Sequence, residues 1–187
     1  MSKRIFMTLD EIIKNRRSIR KFKPGPVSRE LIEKCVEAAR LAPSACNSQP
    51  CKYVILDDEK TKNEFCESVF TGLYATCKRI GLNAPVLIAV CAKAGGNLET
   101  GVGQIISGTK YYLIDQGIAA EHIVLKAQEL GLGTCWIGWF DPKKAKKFLK
   151  LPFGVKCEIL IALGRPDEEP SPRPRKEFKD IISYNKY

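Results

Sequence analysis

The chain of 187 residues reads as one α+β or α/β domain, two- or three-layered around a mostly covered sheet. Three observations carry that reading. Short apolar runs such as CKYVILDD, PVLIAVCA and CEILIALG alternate with longer stretches of helical periodicity. The length falls in the usual single-domain range of roughly 100 to 200 residues and suffices to bury about 70% of the extended surface. The tail RPDEEPSPRPRKEFKDIISYNKY is too polar for a second core, although Ile181, Ile182, Tyr184 and Tyr187 give it anchors for another surface, that of a partner subunit included.

The elements follow in order from local signals. Thr8 with Glu11 three residues on forms a capping-box pattern at the head of LDEIIKNRR, whose Leu9, Ile12 and Ile13 make an apolar face. Pro24, Gly25 and Pro26 in KFKPGPV impose an irregular turn. A second helix is expected from Ser28, capped by that hydroxyl, with Leu31, Ile32, Cys35, Val36 and Ala39 on its buried side and Pro43 as its end. CKYVILDD is a strand candidate, residues 58–71 are helical, and PVLIAVCA is a second strand. The glycines of AGGNLETGVG mark a flexible excursion. One long helix is expected from Gln104 to Leu130, its apolar residues spread widely enough for burial on more than one side. Gly131 and Gly133 stop it before the strand-to-turn segment TCWIGWF. AKKFLKLPFG is a short amphipathic helix ending before Pro152, and CEILIALG is the last strand.

Composition narrows the class. The 31 Lys and Arg against 21 Asp and Glu give a formal +10, which favours anionic partners without identifying them. The cations are divided among RRSIRK, DPKKAKKFLK and SPRPRKEFKD, and aromatics are not interleaved with them as base-stacking platforms would be. The cysteines at 35, 46, 51, 66, 77, 91, 135 and 157 show no C-x-x-C spacing and no clustered histidines, so no metal site is expected and most read as reduced core thiols. Cys46 and Cys51 flank a polar loop and are the one pair placed for thiol chemistry. The longest apolar run, APVLIAVCA at 84–92, is far below the roughly 18 residues of a membrane span, and MSKRIFMTLDEII does not resemble a secretion signal. A soluble, cytoplasmic chain is the expectation.

Conventional catalytic signatures are missing. GLGTCWIG holds a G-x-G but follows a helix, not a first strand, and P-loop, H-E-x-x-H and serine-elbow patterns are absent. His122, the sole histidine, lies within a helical pattern, where a structural or surface role is favoured over catalysis. No side chain is therefore assigned as catalytic, and the chemistry is expected from a bound cofactor that the protein positions. LAPSACNSQPCKY supplies Ser44, Asn47, Ser48 and Gln49, directional groups suited to the polar edge of a planar ring; the plainer reading is a polar loop capping two elements. NRRSIRKF packs four cations and a hydroxyl into eight residues, which fits a nucleic-acid arm, a solvated helix end or a socket for one phosphate.

Taken together, RRSIRKF at 16–22, APSACNSQPCKY at 42–53, AQELGLGTCWIGWF at 127–140 and ALGRPDEEPSPRPRK at 162–176 resemble, in order, the segments of the FMN-dependent nitroreductase family. The resemblance spans nearly the whole chain. It implies a nitroreductase-like α+β fold, a central mostly antiparallel sheet flanked by helices, in a single domain of residues 1–187. It also implies a homodimer formed through the long helix, with two FMN molecules in the interface and residues 162–187 as a basic extension embracing the partner subunit. By that resemblance Arg16 and Ser18 bind the phosphate, with Arg20 near the phosphate or ribityl chain and Arg17 supplying backbone and charge. Arg173 and Arg175 resemble the late pair that closes over the same phosphate, for which the planar guanidinium fork is well suited. Pro43, Ser44 and Asn47 resemble residues that reach the isoalloxazine from the other subunit, and Gln49 a buried anchor of their loop. The backbone of Gly138 resembles the donor to flavin N5, and Arg79 a cation for the N1/O2 edge. Cys51 stands where relatives commonly carry Trp or another aromatic, and the 93–110 excursion is short.

The implied activity takes hydride from NADH or NADPH onto flavin N5 and then reduces a nitroaromatic, quinone or other electrophilic small molecule in a ping-pong sequence, solvent supplying protons. Three rivals stand beside it. One is a flavin- or nucleotide-binding module without efficient turnover; another is a basic nucleic-acid-binding protein; a third is a thiol relay through Cys46 and Cys51.

Overall fold

The computed structural model describes residues 7–187. The reading of MSKRIFMTLDEII as no secretion signal therefore lies partly outside the described residues, which omit its first six. The elements are α1 (Leu9–Asn15), α2 (Arg29–Arg40), β1 (Cys51–Leu56), α3 (Glu59–Val69), α4 (Lys78–Asn83), β2 (Val86–Lys93), α5 (Leu98–Ser107), α6 (Tyr111–Glu129), β3 (Gly133–Ile137), α7 (Pro142–Phe148) and β4 (Val155–Gly164). No helix among them is long and apolar enough to cross a membrane.

The sheet has the order β1-β2-β4-β3, with every pairing antiparallel. Successive side chains of a strand point to opposite faces, so β2 divides its apolar run between two cores. Leu87, Ala89 and Cys91 pack with Phe65, Phe70, Ile137 and Leu160 on one side, beneath α3 and α7. Val86, Ile88 and Val90 pack with Ile32, Cys35, Ala120 and Ile123 on the other, beneath α2 and α6. The result is the α+β arrangement the sequence predicts, in its three-layer form, and burial on both faces explains why PVLIAVCA is continuously apolar.

α6 is fixed to this sheet by a polar contact. The buried Gln116 donates from Nε2 to Val90 O at 3.1 Å and Lys156 O at 3.3 Å, where the β2–β4 register shifts after Val90. A bulge frees ladder carbonyls, and the amide takes them up.

Several local expectations change. The Thr8–Glu11 capping box forms, Thr8 N–H donating to Glu11 Oε2 at 2.7 Å and holding that carboxyl below its ordinary value. Ser28 stands at the N-cap of α2, but its side chain makes no capping hydrogen bond. The glycine-bearing excursion contains a helix: Asn97 caps α5 by accepting from Thr100 N–H at 2.9 Å, which outweighs the low helix propensity of Gly101 and Gly103. The single helix expected over 104–130 is two, because Gly108 adopts φ 71° and closes α5 in a left-handed cap. A 3-10 turn at Gly72–Cys77 and α4 were not anticipated, being short and without strong periodicity. β4 runs through Gly164, so the polar extension starts at 165 and not at 162.

The core thiols give the fold a pH dependence. Burial pushes Cys35, Cys51 and Cys66 up from the ordinary 9.0 to about 11 in each case. A folded value above the unfolded one contributes stability that is complete below about pH 9 and lost as pH rises towards about 11. Denaturant midpoints should therefore hold below about pH 9 and fall between there and about pH 11, less steeply when these three cysteines are alanine. An equally steep fall in the triple variant would assign the loss to other groups.

Candidate functional site

Residues 18–23 are seated between two parts of the domain. Ile19 N–H donates to Thr134 O at 2.8 Å, so Ser18 bridges Thr134 in parallel along the outer edge of β3. Further along, the strip meets residues 165–168: Lys23 N–H donates to Arg165 O at 2.9 Å and Asp167 N–H to Lys21 O at 3.0 Å. Glu168 Oε1 accepts from Arg20 N–H and, at 3.2 Å, from Lys21 N–H. Ile19 and Phe22 are buried against the core, while Arg20 and Lys21 between them face out.

This seating makes a cleft of about 560 Å³ lined by Arg16, Arg17, Ser18, Arg20, Arg173 and Arg175. Six residues expected to surround one phosphate thus converge from the two ends of the chain. Among the described residues none of these five guanidiniums is paired with a carboxylate. Arg17 also closes the preceding helix, because its Nη1 donates to Lys14 O at 2.7 Å and Arg16 O at 2.9 Å and so caps the C-terminal carbonyls of α1. Arg20 Nη1 reaches Ser18 O at 3.3 Å, and Arg175 Nη1 reaches Pro174 O at 3.2 Å. Neighbouring unpaired guanidiniums repel one another, and a dianion in their midst relieves that repulsion. The donor set fits a phosphate.

A second site component is the 44–49 loop. Cys46, Asn47 and Gln49 hold φ values of 49°, 48° and 44°, each in the left-handed region that costs a non-glycine residue about 1 kcal/mol or more. Gln49 N–H donates to Ser44 Oγ at 2.9 Å, Asn97 Nδ2 to Cys46 O at 3.4 Å, and Ala45 N–H to Asp115 Oδ1 at 3.0 Å. Pro43, Ser44 and Gln49 line a pocket of about 150 Å³ with Cys51, Tyr53 and Asp115. Asn47 lies in the same loop, exposed and outside that lining. Gln49, expected as a buried anchor, is exposed in the single chain and its side-chain amide reaches only Asn47 O at 3.4 Å; the buried side chain that bonds this loop is Asp115, 4% exposed on α6. A lone carboxylate in the apolar stretch YYLIDQGIAA was the available signal.

Gly138 follows β3, four residues beyond the Ser18 bridge at Thr134 or about 13 Å at the usual strand rise. A Cβ placed on Gly138 would meet nothing within 4 Å, so this backbone faces open space. Arg79 is exposed on α4 and lines neither cavity. His122 donates from Nδ1–H to Ile118 O of its own helix at 2.9 Å, which matches a structural role. Cys46 and Cys51 are free thiols; Cys51 is pushed up to about 11, first by burial and then by Asp115, which disfavours the thiolate a relay needs.

Comparison with known proteins agrees with this geometry. A sequence model of the Nitroreductase family matches residues 13–76, and a second nitroreductase model matches residues 103–187. A nitroreductase family protein from Clostridium novyi NT is 34% identical in solved structure, with 87% of each chain covered and a TM-score of 0.75. The chain belongs to the nitroreductase family. An NADPH-dependent oxidoreductase of Staphylococcus aureus strain USA300 is 29% identical over 185 residues, 94% of this chain and 72% of the other. The NADPH:FMN oxidoreductase of Vibrio harveyi shares the nitroreductase fold, with a TM-score of 0.79 and 24% identity over 96% of this chain and 77% of the other.

The seating of the cationic strip depends on Gly133. A Cβ there would lie 2.8 Å from Ile19 Cγ1 and 2.9 Å from Ile19 Cβ, so the strip would have to move off β3. Gly133→Ala should cost about 1–3 kcal/mol in denaturant unfolding. An unchanged midpoint would show that Ile19 is not held against the strand.

Proposed function

We propose that this member of the nitroreductase family is an FMN-dependent oxidoreductase that carries reducing equivalents from NADH or NADPH to a small electrophile, a nitroaromatic or quinone being the chemical type. The observation that carries the reading is the cleft in which Arg16, Ser18 and Arg20 meet Arg173 and Arg175, none of these guanidiniums being salt-bridged to a carboxylate among the described residues. The names of the Staphylococcus and Vibrio oxidoreductases support the donor and the flavin.

FMN held by these residues would supply two-electron hydride chemistry between the nicotinamide donor and the acceptor, for which a ping-pong sequence is the expectation. Arg16, Arg20, Arg173 and Arg175 bind the phosphate through their planar donor forks. Ser18 adds a hydroxyl at a position fixed by the bridge to Thr134, and Arg17 adds positive charge while capping α1. Gly138, without a Cβ, leaves its backbone open to a planar ring and its N–H to the N5 edge. Arg79 is assigned to the N1/O2 edge by family resemblance. Pro43, Ser44, Asn47 and Gln49 serve the ring across the interface of a homodimer. The exposed Leu98, Ile105 and Ile106 of α5 and Leu113 and Ile114 of α6 support a second copy, since clustered apolar side chains favour a covering partner. No side chain is assigned as a proton donor.

The purified protein should be yellow and lose that absorbance when titrated anaerobically with NADH or NADPH. A colourless protein that takes up no FMN on reconstitution and binds nucleic acid with a steep salt dependence would overturn the proposal. Arg16→Ala should raise the FMN Kd about tenfold or more while turnover at saturating FMN is largely kept. Equal FMN affinity in wild type and variant would remove Arg16 from the phosphate site.

A further inference from the structure

We infer that Asp115 is a positioning residue for the flavin-facing loop: its carboxylate, held by α6, sets the conformation of residues 44–49 through the Ala45 amide. The inference rests on the flavin reading above and goes beyond it, because it gives Asp115, which bonds the loop backbone, a role that reading leaves unassigned.

The loop needs an outside restraint. Three of its residues, Cys46, Asn47 and Gln49, hold left-handed backbone angles, and such conformations persist where surrounding contacts over-determine them. The Gln49 N–H to Ser44 Oγ bond at 2.9 Å closes the loop on itself and fixes it to nothing else. Asn97 reaches Cys46 O at 3.4 Å from the exposed N-cap of α5. Asp115, by contrast, is buried, and its Oδ1 accepts from Ala45 N–H at 3.0 Å. Its neighbour in sequence, Gln116, bonds both Val90 O and Lys156 O, so the helix turn that carries Asp115 is tied to the middle of the sheet. A path of hydrogen bonds, buried at Val90 and part-buried at Lys156 and Ala45, thus runs from the strands through α6 to the loop.

Chemistry favours this role over simple packing. A carboxylate on the buried side of a helix is costly unless it is hydrogen-bonded, so an apolar residue would serve packing better. Asp115 instead lines the pocket of about 150 Å³ behind the loop, beside Ser44 and Gln49. Without it the Ala45 N–H has no acceptor, and the left-handed residues lose the contact that holds them to the core.

The test compares Asp115→Ala, Asp115→Asn and Ala45→Pro. The amide oxygen of Asn still accepts from Ala45 N–H, and Ala45→Pro removes the donor without touching α6. FMN Kd is measured by quenching of flavin fluorescence, and hydrogen exchange of residues 44–49 is followed in the FMN-free protein, with circular dichroism as the check of folding. Asp115→Ala should weaken FMN about tenfold or more and speed exchange in the loop, while Asp115→Asn stays within about threefold of wild type. Ala45→Pro should weaken FMN similarly, and adding Asp115→Ala to it should change little, because the two act through one bond. Unchanged loop exchange in Asp115→Ala, or fully additive losses in the double variant, overturns the inference. If Asp115→Ala does not fold, Ala45→Pro with wild-type FMN affinity overturns it. Wild-type protein that takes up no FMN defeats the flavin reading, and the exchange measurement still decides the loop's anchor.

Discussion

The candidate site hangs on one main-chain arrangement: Ser18 and Ile19 meet the open edge of β3, and residues 20–23 are held by residues 165–168. An edge strand exposes unpaired N–H and C=O groups, and the Ile19–Thr134 bond gives this edge a partner. Glu168 then joins the two ends of the chain, its carboxylate bonding Arg20 N–H across 148 positions of sequence. These contacts, with buried Ile19 and Phe22, draw together guanidiniums that would otherwise repel. Backbone bonds and apolar burial thus offset an electrostatic strain that an anionic ligand relieves. A ligand of that kind binds the folded state alone and so stabilises it.

A second restraint comes from the opposite layer. α6 lies over the sheet with Gln116 inserted at the β2–β4 bulge, and its next-door carboxylate meets the 44–49 loop. The cationic strip and the polar loop are therefore both referred to the same four strands, one through the edge of β3 and one through a helix packed on the face. That common reference is what a site shared between a charged end and a planar end requires.

Much of the fold was legible because it rests on local chemistry. The Thr8–Glu11 box, the β-rich runs that became β1, β2 and β4, and the alternation of strand with helix all depend on residues within a few positions of each other. The misreadings have equally local causes. Gly108 and Asn97 are ordinary helix stop and start signals, but each was outweighed by a neighbouring pattern, the apolar periodicity after 104 and the glycines before 104. Ser28 offers a hydroxyl at the right place and makes no cap, because position alone does not set a side chain's rotamer. In the 44–49 loop the polar residues announced a site, yet the residue holding it lies on a helix some 70 positions away.

From the sequence came the strand runs and most of the helices, the cationic character of NRRSIRKF and SPRPRK, and the family resemblance carried by four segments in order. Each is a property of residues close along the chain, where spacing and composition act directly. It took the packed chain to show that the two cationic segments share one cleft, that Gln49 is exposed while the buried Asp115 bonds Ala45 N–H, and that a side chain at Gly133 would collide with Ile19. Those facts follow from which strand edges and helix faces meet, and such meetings are fixed by packing across the sheet, not by neighbours in sequence.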